Sequence, residues 1–130
     1  MLKKCILLGL FSVLASSAIF AQKYFTREGK ISFSSDAKIE KIEAQNKTAT
    51  SVYDAETGKM EFAVLIKAFQ FEKALMQEHF NENYMESTKF PKATFKGTVS
   101  DFKAVNLTKD GAYPVKVKGQ LTIHGVTKDV

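Results

Sequence analysis

The side chains with the most chemistry to offer sit close together: Glu78, His79 and Glu82, then Tyr84 and Ser87. Two carboxylates beside an imidazole could hold a metal or move a proton. A metal site needs several converging ligands, and this stretch alone supplies too few. His79 therefore reads as a capping or packing residue. Ser87, His79 and Asp101 are the residue types of a nucleophilic triad, but no nucleophile elbow surrounds the serine. No glycine-rich phosphate loop is present. Tyr84 and Tyr113 could each bring a hydroxyl to the polar end of a ligand. His124 falls on the polar face of its segment and reads as a surface residue. No metal and no cofactor are expected, and the chain is not expected to be an enzyme.

The N-terminus reads as an export signal. Lys3 and Lys4 precede an apolar run from Ile6 to Leu14, and small residues follow at 15–18. Cleavage is expected after Ala21, with Ala18 the weaker site; the run is too short to span a bilayer. The expected division is thus a signal peptide over 1–21 and one domain over 22–130, in the periplasm or secreted. Cys5, the only cysteine, lies ahead of the apolar run. The mature chain then has no thiol, which suits an oxidising compartment. Removing Lys3 and Lys4 lowers the formal charge from +5 to +3. The lysines are interleaved with acids and Arg27 is the only arginine, so no nucleic-acid partner is expected.

The elements that must position these residues are strands. Apolar and polar residues alternate through most of the chain, the pattern of strands with one dry and one wet face. In the stretch from 115 to 124, Val115, Val117, Leu121 and Ile123 share a face, and Gly119 permits a bend or close packing there. From 59 to 67, Met60, Phe62, Val64 and Ile66 share a face. The phase then switches to Phe69 and Phe71, which predicts a β-bulge near Lys67 or Ala68. Thr48–Tyr53 is its hairpin partner across a loop ending in Gly58, where φ > 0 is expected. Tyr24–Ser34 is an early strand with Ile31 and Phe33 inward, and 93–102 another with Phe95 inward. The stretch 37–44 is ambiguous. Between 72 and 85, Leu75, Met76, Phe80 and Tyr84 recur at mostly helical spacing, a short amphipathic helix that ends before Phe90-Pro91. Antiparallel strands with one helical excursion point to a sandwich or barrel.

Several blocks carry a family likeness: Phe69-Gln70-Phe71, Leu75-Met76-x-x-His79-Phe80, Tyr84-Met85, Phe90-Pro91-x-Ala93-Thr94-Phe95 and Gly119-x-Leu121-Thr122-Ile123-His124-Gly125-Val126-Thr127-Lys128. Together they resemble the YceI-like family. The resemblance implies an all-β fold, an antiparallel lipocalin-like β-barrel of eight strands with a short helical insertion. It also implies an exported bacterial protein whose relatives include some that hold a polyisoprenoid in the barrel pore. Relatives continue past the Gly-Val-Thr-Lys block, so C-terminal strands are expected to be missing here, and the edges so left would favour a homodimer.

Taken with the resemblance, the period-two pattern points to an apolar lipid ligand of isoprenoid or isoprenoid-quinone type, sequestered or transported in the barrel. The expected lining is Phe33, Phe62, Val64, Phe69, Phe71, Phe95, Val117, Leu121 and Ile123, with Leu75, Met76, Phe80 and Tyr84 covering one end. Two other readings stay open: an enzyme acting on a small apolar substrate in the same pore, and a structural barrel with a packed core.

Overall fold

The structure, a computed structural model, describes residues 22–36, 38 and 41–130. The expected signal peptide and Ile39 lie outside the described residues. Seven strands form one antiparallel sheet: β1 (Lys23–Asp36), β2 (Lys41–Asp54), β3 (Lys59–Leu65), β4 (Gln70–Phe71), β5 (Lys92–Val99), β6 (Val117–Ile123) and β7 (Val126–Asp129). The order is β1-β2-β3-β5-β6-β7, with the two-residue β4 added beside β2. Between β4 and β5 the chain makes α1 (Ala74–His79), which widens into a π turn (Phe80–Tyr84). The all-β antiparallel fold with a short helical insertion is as expected. Closure into a barrel is not seen. Among the described residues β1 and β7 end the strand order and no pairing joins them. A barrel needs its last strand paired along its first, and β7 is four residues long and paired only with β6.

The alternation locates the strands, and backbone irregularities explain where it misleads. Residues 41–44, from the stretch read as ambiguous, run into the Thr48–Tyr53 strand as the single strand β2. Between Asn46 and Ala49 it carries one more residue than β1 does between Gly29 and Ile31. That bulge flips the buried positions from Ala44 and Asn46 to Ala49, so one strand reads as two. Asn46, fully buried, holds the bulge. Its Nδ2 donates to the Leu65 carbonyl (3.2 Å), and its Oδ1 accepts from the Thr48 backbone N–H (2.9 Å) and hydroxyl (3.2 Å).

The phase switch after Ile66 has a different cause from the bulge expected there. Ile66–Ala68 is a 3₁₀ turn that ends β3 and lets the chain cross to β2, where Phe71 pairs with Ala44. The last long strand begins at Val117 rather than Val115, because Pro114 closes an irregular loop that runs from Ser100. Gly58 has the positive φ (74°) expected of the β2–β3 loop. The core joins Ala44, Ala49, Val64, Ile66, Phe69 and Ala93, with Ile31, Phe71, Phe80 and Met85 packed against it.

Candidate functional site: an apolar cavity under the helical excursion

Antiparallel register places three strands' large side chains on one face. Phe62 lies opposite Phe95, and Phe95 opposite Leu121. Partners directly opposite share a face, and the Phe62 and Phe95 rings lie 5.7 Å apart. Across the sheet, Phe33 of β1 meets Phe69, Phe71 and Phe80 at ring separations of 5.3, 6.0 and 5.5 Å. Phe80 also packs on Phe71 at 4.8 Å. Edge-on and offset rings of this kind attract beyond the area they bury.

Between these two groups of rings lies a cavity of about 410 Å³. Its wall is made of Ile31, Phe33, Phe62, Val64, Ile66, Phe69, Phe80, Met85, Ala93, Thr94, Phe95, Leu121 and Ile123, of which only Thr94 has a polar side chain. A surface of this composition offers dispersion and apolar burial and almost no hydrogen bonding. The volume falls within the range of small-molecule pockets, about 300–1,000 Å³.

Eight of the expected lining residues are brought together here: Phe33, Phe62, Val64, Phe69, Phe80, Phe95, Leu121 and Ile123. Phe71 stands behind them, packed on Phe33 and Phe80. Val117 lies farther along β6, opposite Val99 and away from the cavity wall. The helical residues fare differently. Met76 is half-buried but outside the wall, while Leu75 (64% exposed) and Tyr84 (71%) face solvent. The π turn is the cause, because it puts Met85 rather than Tyr84 in line with Phe80. Ile66 and Ala93 complete faces whose period-two signal was present. Thr94, a neighbour of Phe95, had no signal of its own.

The other chemistry-bearing residues do not converge. Glu78, His79 and Glu82 are exposed on the excursion. Ser87 is buried just after it, and Asp101 follows the far end of β5, ~25 Å along an eight-residue strand. Among the described residues no group of three or more His, Cys, Asp or Glu could hold a metal ion. His124 belongs to the β6–β7 turn rather than to the strand face. It and Gly125 both have positive φ (52° and 72°), the two-residue hairpin geometry that matches strand twist. Its Nε2 lies 2.6 Å from Glu86 Oε2, and its ring packs edge-on to Phe90 at 4.9 Å. These contacts tie the hairpin to the end of the excursion.

A single antiparallel sheet, with a helical excursion beside an apolar cavity on one face, defines an all-β protein with a dry recess lined by strands and flanked by the insertion. The chain belongs to the YceI-like family, whose YceI-like domain matches residues 17–130. A polyisoprenoid binding domain from Saccharophagus degradans, implicated in plant cell wall breakdown, shares the fold with a TM-score of 0.67 at 13% identity. The alignment covers 83% of this chain and 63% of that one. A YceI protein from Campylobacter jejuni aligns at TM-score 0.46 and 17% identity over 82% of this chain and 51% of that one. The chain thus spans under two thirds of the length of either structure. No curated protein matches it in sequence.

Proposed function

We propose that the protein holds an elongated apolar molecule of isoprenoid or similar lipid type in this cavity, as a carrier or sequestering protein, and performs no covalent chemistry on it. The observation that carries the reading is the wall itself: about 410 Å³ of space lined, Thr94 apart, by hydrocarbon and aromatic side chains. Water gains little in such a space, whereas a hydrocarbon chain gains about 25 cal/mol for each Å² it removes from water. Phe rings and Met85 adapt to ligands of variable shape. The polyisoprenoid binding described for the S. degradans domain of the same fold supports the reading.

In this reading the free edges of β1 and β7 are where further strands, or a second protomer, complete a lipocalin-like enclosure. Residues 1–21 act as the export signal, and the mature protein works in the periplasm or outside the cell. Native mass spectrometry after mild extraction tests the binding. A co-purified hydrophobic mass, lost on organic extraction, is the expected result; a clean apo mass under every condition overturns it.

A further inference from the structure

The cavity face of the sheet mixes apolar residues with a few uncharged polar ones, Thr26, Asn46 and Ser51 among them, and outside its two bulges it carries a charge at one place. Followed by register, the row that crosses the cavity runs through Thr26, Ser51, Phe62, Phe95 and Leu121 and ends on β7. There Val126 lies opposite Ile123, and Lys128 lies opposite Leu121. Leu121 lines the cavity, and side chains of directly opposed antiparallel residues share a face with Cβ atoms ~5 Å apart. Outside the two bulges, Lys128 is the one charged residue among the register-paired positions of that face. It is exposed, and among the described residues no acid pairs with it. An ammonium on a long flexible stem at the margin of a dry cavity can lay its methylenes on apolar surface and keep its charge at the mouth.

We infer that Lys128 receives the anionic head group, carboxylate or phosphate, of a ligand whose apolar chain lies in the cavity. The inference rests on the proposed lipid-binding function and narrows it, from any apolar molecule to an amphiphile with a negative end. A charge-assisted contact at the rim selects among ligands of equal chain, because the neutral analogue leaves the ammonium solvated and gains nothing from it. An inward-facing charge on an edge strand can also serve to block sheet-to-sheet association, so the test separates the two roles.

Palmitate, cetyl phosphate and methyl palmitate are titrated below their micelle concentrations into the wild-type protein and into Lys128→Met and Lys128→Glu. Wild type is expected to bind at least one of the two anions about tenfold more tightly than the ester, the scale of one charge-assisted contact. The tighter anion identifies the head group. In Lys128→Met the anion-to-ester ratio falls to near one with ester affinity kept, and in Lys128→Glu the preference reverses. An unchanged ratio in Lys128→Met overturns the inference, and so does a gain in association by light scattering without a change in ratio. Equal wild-type affinity for anions and ester overturns the inference alone. Binding of none of the three overturns the lipid-binding reading with it.

Discussion

Met85 donates its backbone N–H to the carbonyl oxygen of Phe80, five residues earlier, at 2.9 Å. In an α-helix the residue four after Phe80, Tyr84, would share its face. The wider i→i+5 turn passes that place to Met85, and Phe80 and Met85 both reach the cavity while Tyr84 is exposed. π turns of this kind recur at functional sites. Met85→Ala should therefore weaken binding of a long-chain ligand severalfold, by ~1 kcal/mol of lost apolar contact. Tyr84→Ala and Leu75→Ala should leave affinity within about twofold. Displacement of a bound fluorescent fatty acid measures all three; a larger loss from Tyr84→Ala than from Met85→Ala would contradict this placement of the wall.

Helical spacing alone could not reveal that shift. Leu75, Met76, Phe80 and Tyr84 form a good stripe on an ideal helix, but α1 is six residues long and the π turn resets the angle. The strands were more legible. Phe62, Phe95, Leu121 and Ile123 follow from alternation because β3, β5 and β6 pair without register shifts. β1 and β2 do not, and their compensating bulges hid both the length of β2 and the role of Asn46. The strand pattern left sandwich and barrel open and the resemblance chose the closed barrel, whereas the described sheet has open edges at β1 and β7.

Asn46→Ala should destabilise the fold by about 1–3 kcal/mol. It removes the acceptor for the Thr48 N–H and the donor to the Leu65 carbonyl at a fully buried position. Urea denaturation followed by far-UV circular dichroism reads the change in midpoint. A cost near zero would mean that the bulge holds itself without the amide.

Gly97 and Gly119 are register partners, and a Cβ on Gly119 would run into the Lys96 carbonyl oxygen and the Gly97 Cα. A Cβ on Gly97 would lie 2.6 Å from the Phe95 ring that walls the cavity. Overpacking against backbone cannot be relieved by a rotamer change, so Gly119→Ala should cost at least about 1–3 kcal/mol. At Gly111 the nearest atom to an added Cβ is on Tyr113, 3.8 Å away, and φ is not positive. Gly111→Ala should be neutral or slightly stabilising, by up to ~1 kcal/mol. Paired thermal melts test the contrast.

The turn at His124 and Gly125 separates two costs. His124→Asn keeps a residue type that tolerates positive φ and loses the exposed contact to Glu86 and the edge-on packing on Phe90, so it should cost about 1 kcal/mol. Gly125→Ala meets both the positive φ and the Phe90 ring, 2.6 Å from the added Cβ, and should cost more. Calorimetric melting of the two variants gives the order; the reverse order would mean that the contacts to Glu86 and Phe90, not the turn geometry, fix the hairpin.

The apolar wall is tested most directly by the affinity of a homologous series of unbranched fatty acids measured by isothermal titration. Each added methylene should strengthen binding by ~0.8 kcal/mol, about fourfold, until the chain fills the cavity and the gain stops. No binding, or affinity that does not change with chain length, would contradict a dry cavity built to hold a hydrocarbon chain.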